Sequence, residues 1–324
     1  MDPTIQGHDL PRSARVDFWV IGHRGSPELE VENTIASFER ALAEGANGLE
    51  LDVCVTSDEE AVVWHDEDPH EWRARFRRLG LEPVVRHRPY TPRDRRYCRP
   101  VSELTLEELR THFGYTRGPF GKRLAVRIPT LSEFMEWASD QETLGLVVLD
   151  IKVPAEREDR MKVLVSTLDE LVARVRPRFQ IVLETPTAPV VSLISRLAPH
   201  HARALDVEPG PGLVLDFERP SAARAAIAHR LAHAMAQRPR SITLFPFATH
   251  RRIVNKDLAR VASHNASTPD VPIEGVCAFT INHPREMREL IELGVWGIQS
   301  DRPALLRKVA LDCGRRLDAD TTRR

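Results

Sequence analysis

Four side chains that can bind a metal or move a proton lie close together in the chain, at His23, Glu50, Asp52 and His65. Each follows a short aliphatic or β-branched run, and such runs, bounded by glycine or aspartate, are typical of buried strands. Carboxylates bind hard divalent cations, and imidazole can accept or donate a proton near neutral pH. Because burying these groups is costly without a ligand or a metal, their position at strand ends indicates a functional site.

Apolar runs along the chain alternate between strand and helix patterns. We predict eight buried strands, at 18–22, 47–53, 145–150, 179–184, 202–207, 241–245, 275–280 and 296–299. Helices are predicted at 33–44, 131–139, 157–174, 188–197, 221–236, 251–263, 284–293 and from 303 onward. Strands that alternate with helices of this length form βα units in a parallel sheet. Eight such units predict an α/β fold, a (β/α)8 TIM barrel. An open doubly wound sheet is the alternative, but no glycine-rich phosphate loop follows the first strand.

A further strand, at 60–64, cannot join the sheet as another parallel neighbour of strand 47–53. Only residues 54–59 separate the two runs, whereas a parallel crossover needs roughly a dozen residues or more. We therefore predict an antiparallel hairpin that turns at 56–59. This hairpin would return His65 to the neighbourhood of Asp52.

Length and composition favour one soluble domain. The chain has 324 residues, enough for a large core, and its formal charge of −1 gives no global attraction to nucleic acid or to an anionic membrane. The four cysteines show no CxxC spacing. No run approaches the roughly 18 apolar residues of a membrane helix, and the N-terminus lacks the features of a signal peptide. We expect a cytoplasmic protein with no stable membrane insertion and no nucleic-acid partner.

A linked set of motifs runs through most of residues 18–305. In chain order the motifs are His23-Arg24-Gly25, Glu32-Asn33-Thr34, Glu50-Leu51-Asp52, Thr56-Ser57-Asp58, Val62-Val63-Trp64-His65-Asp66, Ile128-Pro129-Thr130-Leu131, Leu149-Asp150-Ile151-Lys152, Phe279-Thr280-Ile281-Asn282 and Gly297-Ile298-Gln299-Ser300-Asp301-Arg302-Pro303. Together they resemble the glycerophosphodiester phosphodiesterase family. The resemblance implies a metal-dependent hydrolase that converts glycerophosphodiesters to an alcohol and sn-glycerol 3-phosphate. In this family the neighbouring glycerol hydroxyl is the expected nucleophile, with a cyclic phosphate as intermediate.

Three carboxylates are the predicted metal ligands. Glu50 and Asp52 are two apart on a strand and therefore point to the same face. An isolated pair of this kind is usually solvent-facing, but this pair follows a buried run on a barrel strand. Asp150 ends the third predicted strand and supplies the third ligand. Oxygen donors without cysteine favour Mg²⁺ or Ca²⁺ over zinc, with Mn²⁺ also possible.

The remaining predicted site residues handle protons, phosphate and glycerol. One of His23 and His65 accepts a proton from the nucleophile and the other protonates the departing alcohol, and the sequence does not say which. Arg24 is expected to clamp the phosphate, or else to form a salt bridge at the rim. Lys152 would add a charge to the phosphoryl group, or pair with a ligand carboxylate. Phe279 either packs in the barrel core or floors the pocket against the glycerol.

Two positions depart from the family pattern, which commonly has Glu where this chain has Asp150 and Trp where it has Phe279. Related phospholipase D-type enzymes carry Asp-x-Lys at 150–152 and tend to stop at cyclic phosphates, but they usually lack the His23-Arg24-Gly25 start. An enzyme of that type, acting on lysophospholipids, is the first alternative. The second is a non-catalytic phosphate-binding barrel, which would have no need of this full set of residues. A helical His-Asp phosphohydrolase would rest on His65-Asp66 alone, and we set it aside.

The domain organisation follows from the same pattern. We predict an N-terminal extension at 1–17, the barrel at 18–311 and a polar tail at 312–324. An insertion at 67–125 is expected to lie over the active-site rim, where barrel enzymes keep their sites. It is rich in arginine, at Arg73, Arg75, Arg77, Arg78, Arg86, Arg88, Arg93, Arg95, Arg96 and Arg99. Most of these should be solvated, and one or two could contact a distal anionic group on a substrate.

Overall fold

The computed structural model describes residues 16–82, 84–118, 121–207, 241–244, 251–270 and 272–317. The strands in these ranges are β1 (Trp19–Gly22), β2 (Gly48–Val55), β3 (Ala61–Val63), β4 (His87–Tyr90), β5 (Gly114–Arg117), β6 (Leu146–Ile151), β7 (Gln180–Thr185), β8 (Ala202–Val207), β9 (Ser241–Leu244), β10 (Gly275–Ala278) and β11 (Gly297–Ser300). The helices are α1 (Ile35–Ala43), α2 (Trp72–Arg78), α3 (Leu106–His112), α4 (Leu131–Ser139), α5 (Glu158–Val175), α6 (Ala188–Leu197), α7 (Arg251–Ser267), α8 (Pro284–Leu293) and α9 (Pro303–Asp312), with a 3₁₀ turn at Val101–Glu103.

Eight parallel strands close into a barrel. Their order around it is β1, β2, β6, β7, β8, β9, β10 and β11. The barrel closes because β1 pairs in parallel with both β2 and β11. The predicted TIM barrel is confirmed, and the open doubly wound sheet is excluded. The predicted helix 221–236 and the end of the predicted strand at residue 245 lie outside the described residues.

Side chains of the barrel strands alternate between two apolar clusters. Val148 and Cys277 belong to a cluster that also holds the inward-facing Ile21, whereas Leu149 and Leu51 pack in the larger cluster formed with the surrounding helices. Residues two apart on a strand share a face. The inward face of β6 therefore carries Asp150, two residues after Val148, and the carboxylates of β2 lie on the corresponding face.

The predicted hairpin is confirmed. β2 and β3 pair antiparallel, with Val53 opposite Val63. The Trp64 N–H then donates to the carbonyl oxygen of Asp52 at 3.0 Å. Residue 65 thus follows directly on a backbone contact with β2, the strand that carries Glu50 and Asp52, and His65 is brought close to these carboxylates.

Residues 67–125 leave the barrel after this hairpin and contain α2, α3 and the two-stranded sheet of β4 and β5. The buried Trp64 ring anchors them, with ring centroids 6.1 Å from Phe113 and 5.1 Å from Tyr115. Among the described residues, no helix is long and apolar enough to cross a membrane.

Candidate active site

Three carboxylates meet inside the barrel near the carboxyl ends of β2 and β6. Asp52 and Asp150 are register partners on these neighbouring strands. One oxygen each from Glu50, Asp52 and Asp150 lies within 4.8 Å of the others. Oδ1 of Asp150 is buried and has no hydrogen-bond partner among the described residues. An orphaned oxygen in a cluster of hard oxygen donors fits a divalent cation of the Mg²⁺ or Ca²⁺ type.

The pKa values of two carboxylates in this cluster are shifted in opposite directions. Burial raises the pKa of Glu50, and the charges of Asp52 and Asp150 raise it further. Burial would also raise the pKa of Asp52, but Lys152, Arg24 and a hydrogen bond hold it below its usual value. Two neighbouring carboxylates are therefore driven in opposite directions, which is what shared repulsion in a buried site produces. A bound cation would favour the ionised form of both.

Lys152 forms ion pairs with two of the three carboxylates. Its Nζ lies 2.5 Å from Asp150 Oδ2 and 3.0 Å from Asp52 Oδ1. Although burial opposes the charged form, these two carboxylates raise the pKa of Lys152. The second of its two predicted roles, pairing with a ligand carboxylate, is therefore present in the structure. Contact with a phosphate stays a prediction.

Both predicted catalytic histidines are held by carboxylates through Nδ1. The Nδ1 atom of His23 lies 2.7 Å from Asp301 Oδ1, and its Nε2 lies 4.0 Å from Glu50 Oε2. The Nδ1 atom of His65 lies 2.7 Å from Asp66 Oδ1. A partner on one ring nitrogen fixes the orientation of the imidazole and leaves the other nitrogen for chemistry.

The electrostatic surroundings of His65 disfavour its protonated form. Burial lowers the pKa of His65 well below its ordinary value, and the cations Arg77, Arg24 and Lys152 lower it further. On the other side, Asn282 Nδ2 donates to Asp301 Oδ2 at 2.5 Å and fixes the carboxylate that holds His23.

Arg24 is buried within the carboxylate cluster, not at the rim. Its backbone N–H donates to Glu50 Oε2 at 2.8 Å, and its Nε lies 3.1 Å from Asp52 Oδ2. Its Nη1 donates to Glu32 Oε2 at 3.1 Å and to Glu82 Oε1 at 3.2 Å. The guanidinium thus joins the carboxylate cluster to residues on two loops, and its predicted contact with phosphate stays a prediction.

Arg77 of α2 is also buried, with 4% of its side chain exposed, which departs from the solvated state expected for most arginines of this segment. Its Nη1 donates to Asp66 Oδ1 at 2.5 Å, its Nη2 contacts Glu32 and its Nε donates to Glu82 Oε2 at 3.1 Å. Arg77 therefore holds the carboxylate that orients His65. Arg77 is buried because it lies on the face of α2 that packs inward.

Sequence reasoning missed the role of Asn33, which it named only as part of the Glu32-Asn33-Thr34 motif. The helix α1 is capped by Thr34, whose side-chain oxygen accepts from the Ser37 N–H at 3.2 Å. The Asn33 Nδ2 donates to Asp52 Oδ2 at 2.7 Å, and its Oδ1 accepts from the Asp52 N–H at 3.2 Å. The backbone of Asn33 has φ = 55°, a left-handed conformation that Asn tolerates better than most residues. Its place in the Glu32-Asn33-Thr34 motif was the available signal.

A second polar layer on later strands was also missed. Gln299 Nε2 donates to Glu184 Oε2 at 3.2 Å inside the barrel. Burial raises the pKa of Glu184, and the charges of Asp206 and Asp150 raise it further. Gln299 lies in one of the motifs that carry the family resemblance, whereas the only sequence signal for Glu184 was a polar residue at the end of a buried strand run. Phe279, half-buried, lies two residues after the inward-facing Cys277, so both of its predicted roles stay open.

A cavity of about 640 Å³ extends from the site toward α2. His65 and Lys152 line one end of the cavity, and Glu71 and Trp72 of the inserted segment line another part of it. Pro186, after β7, closes another side. Such a space next to a candidate proton-transfer residue can hold the group on the far side of a phosphodiester.

A second group of possible metal ligands lies elsewhere. His200 and His201, in the turn before β8, each place Nε2 2.8 Å from Oδ1 of Asp169 on α5. This turn enters the amino-terminal end of a barrel strand, whereas the carboxylate cluster lies near the carboxyl ends. Experiments with metals that prefer imidazole must therefore distinguish binding at these histidines from binding at the carboxylate cluster.

Comparison with known proteins agrees with this geometry. The model of the glycerophosphoryl diester phosphodiesterase family matches residues 23–305. The uncharacterized protein YqiK of Bacillus subtilis is 25% identical over 284 residues, 88% of this chain and 95% of that one. A glycerophosphodiester phosphodiesterase of Caldanaerobacter subterraneus is 37% identical over 134 residues, 41% of this chain and 44% of that one.

Among solved structures, an Oleispira antarctica phosphodiesterase in complex with the product sn-glycerol-3-phosphate aligns with a TM-score of 0.59 and 21% identity. The alignment covers 90% of this chain and 96% of that one. At this identity it supports the fold. Because the family match spans nearly the whole barrel, including the carboxylates and both histidines, the chain belongs to the glycerophosphoryl diester phosphodiesterase family.

Proposed function

We propose that this chain is a metal-dependent phosphodiesterase that hydrolyses glycerophosphodiesters to an alcohol and sn-glycerol 3-phosphate. The observation that carries the proposal is the meeting of three carboxylates, within 4.8 Å of one another, with two histidines oriented by carboxylates. Family membership and the sn-glycerol 3-phosphate product bound to the Oleispira relative support the same reaction.

Glu50, Asp52 and Asp150 would hold the ion, which we expect to be Mg²⁺ or Ca²⁺, with Mn²⁺ able to substitute. When bound, the ion supplies charge stabilisation at the phosphate and makes a hydroxyl more acidic. Asn33 supports this role by fixing Asp52 through two hydrogen bonds. Partners of metal ligands usually affect metal affinity because they orient the ligands.

The chain's own residues then move protons and hold the phosphate. One histidine removes the proton from the glycerol hydroxyl as its oxygen attacks phosphorus, and the other protonates the leaving alcohol as its bond to phosphorus breaks. Water then opens the resulting cyclic phosphate with the two roles exchanged. Arg24 and Lys152 would share their charges between the carboxylates and the phosphate oxygens, and Phe279 would contact the glycerol.

One feature of the sequence favours a second candidate. The Asp150-Ile151-Lys152 segment matches the Asp-x-Lys pattern of phospholipase D-type enzymes. Such an enzyme would act on lysophospholipids and release a cyclic phosphate as its end product. A non-catalytic barrel would have no use for two histidines that are each held by a carboxylate.

Chelation followed by metal addition tests the proposal. Activity on a panel of glycerophosphodiesters should vanish with chelator and return with Mg²⁺, Ca²⁺ or Mn²⁺. Glu50→Gln should cost at least about 100-fold in kcat, since even partners of metal ligands cost about 10–100-fold. Glu136→Gln, on the exposed face of α4, is the matched control and should retain activity. Full activity in a metal-free preparation would overturn the metal role.

A further inference from the structure

The inserted segment exposes an unusual cluster of large apolar side chains. Trp72 is 41% exposed, Phe76 37%, Leu79 66% and Leu81 51%. In the part of the chain that the structure describes, only one other large hydrophobic side chain, Leu311, is exposed. We refer to Trp72, Phe76, Leu79 and Leu81 as the docking face. Contiguous apolar patches on a protein surface commonly mark interaction sites.

The exposure follows from how α2 is oriented. Positions 72, 76 and 79 are spaced i, i+4 and i+7 and therefore form one stripe along the helix and the residue that ends it. A helix normally turns such a stripe toward the core, but α2 buries Ala74 and Arg77 instead. Arg77 forms ion pairs with three carboxylates. The helix cannot rotate its apolar stripe inward without breaking these ion pairs.

Positive charge surrounds the docking face. The segment 72–81 contains four arginines and no acidic residue. Arg77 is buried among three carboxylates, so the charge at the surface comes from the other three. Arg73 lies over the Trp72 ring at 5.5 Å, and Arg78 donates to the neutral Thr91 hydroxyl at 2.7 Å. Arg75 is exposed and forms no ion pair with any residue that the structure describes. Aromatic and leucine side chains beside arginines are the composition of segments that lie in a lipid interface.

The docking face adjoins the candidate active site. Trp72 and Arg73 line the same cavity as His65 and Lys152. A surface bound at α2 would therefore lie at the mouth of the cavity. Charge complementarity and this position both favour a negatively charged lipid surface as the occupant.

We propose that the docking face binds the surface of an anionic lipid bilayer and brings lysophospholipids to the cavity. A lysophospholipid is a glycerophosphodiester that carries one acyl chain, so this second part rests on the proposed phosphodiesterase function. The binding is peripheral, with the apolar side chains in the headgroup region. It needs no membrane-spanning helix, and the local arginines supply an attraction that the chain's formal charge of −1 does not.

Vesicle sedimentation tests the lipid contact without relying on catalysis. The probes are vesicles of phosphatidylcholine with phosphatidic acid, a phosphomonoester, and vesicles of phosphatidylcholine alone. The full chain should sediment with the anionic vesicles, and raising NaCl from about 50 mM to about 500 mM should weaken the binding. Phe76→Ser combined with Leu79→Ser should weaken it at least about tenfold, since two apolar side chains lose their burial.

Matched variants separate this surface from general effects. Arg75→Glu should also weaken binding to anionic vesicles, whereas Arg178→Glu, before β7 at the other end of the barrel, should not. Leu311→Ser on α9 is the apolar control and should bind normally. Equal binding by all variants, or no binding by the wild type, would overturn the proposal. A concentration-dependent dimer that Phe76→Ser and Leu79→Ser abolish would overturn it in favour of a second copy.

Turnover distinguishes the two proposals. The double variant should hydrolyse a water-soluble glycerophosphodiester at the wild-type rate and should be slower on lysophospholipid embedded in anionic vesicles. Equal rates on the embedded substrate would contradict the presentation role. Failure of the wild type on every diester would contradict the proposed function while leaving the vesicle-binding result to stand.

Discussion

Replacing Arg77 by methionine tests whether the inserted segment is locked to the catalytic centre. Methionine has a similar length without charge, so the substitution removes the ion pairs and leaves most of the packing. Arg77 binds Asp66, Glu32 and Glu82. The side chains of Asp66 and Glu32 are each 1% exposed, so neither can regain water when its partner is lost.

The expected cost can be worked from these partners. Breaking a buried ion pair by removing one member costs about 3–5 kcal/mol. Some compensation remains, because Arg24 still binds Glu32 and Glu82, and His65 still contacts Asp66. We therefore expect Arg77→Met to lower the free energy of unfolding by about 3 kcal/mol, near the lower end of that range.

Urea unfolding measures this value, with an unchanged slope showing that the same surface is exposed. The control is Arg75→Met, an exposed arginine on the same helix, which should stay within about 0.5 kcal/mol of the wild type. Arg77→Lys, which restores the charge without the planar fork, should recover part of the loss. A change below about 0.5 kcal/mol in Arg77→Met would refute the ion-pair network as the lock.

The same variant should shift the response to acid. Burial opposes ionisation of Glu82, but Arg77 and Arg24 hold its pKa at about 2. A carboxyl with a lowered pKa stabilises the fold above its ordinary pKa, and this contribution is lost as the pH falls through the lowered value. Without Arg77 the loss begins at higher pH, so the midpoint of acid unfolding should rise.

Three other predictions concern the catalytic centre. His23→Ala and His65→Ala should each lower kcat at least about 10²-fold while Mg²⁺ still raises the melting temperature, and near-normal turnover would make that histidine structural. Asn33→Ala should weaken metal affinity about 10–100-fold by calorimetry with kcat at saturating metal much less affected, and unchanged affinity would contradict the supporting role. Arg77→Met should raise the pKa of His65, because one of the cations that lower it is gone, and an NMR titration that shows no shift would contradict this cause.

The barrel could be predicted because its signals are local. Alternating apolar runs placed all eight strands, and the short spacing after β2 required the hairpin that returns His65. The ends of the strands were predicted less well. The run predicted as a strand at 275–280 forms a hydrogen-bonded strand only over Gly275–Ala278. Carboxylates at the ends of neighbouring parallel strands could be expected to converge, and Glu50, Asp52 and Asp150 do lie together.

The rest depends on tertiary contacts that no local pattern encodes. The ten arginines between residues 73 and 99 of the inserted segment look alike in sequence, and only the orientation of α2 separates the buried Arg77 from the exposed Arg75. The role of Asn33 depends on its bonds to Asp52, which join residues 19 apart in the chain. The spacing of Trp72, Phe76 and Leu79 alone would predict a helix face that packs in the core, but these side chains are exposed.

Phosphorus NMR during turnover tests the central claim most directly. Metal-loaded enzyme with glycerophosphoethanolamine should convert the diester resonance to that of glycerol 3-phosphate, with a cyclic phosphate visible only early, and chelator should stop the conversion. A cyclic phosphate that accumulates as the stable product would replace the hydrolase with the phospholipase D-type alternative. A diester signal that persists with Mg²⁺, Ca²⁺ and Mn²⁺ would contradict hydrolysis of this substrate at the carboxylate cluster.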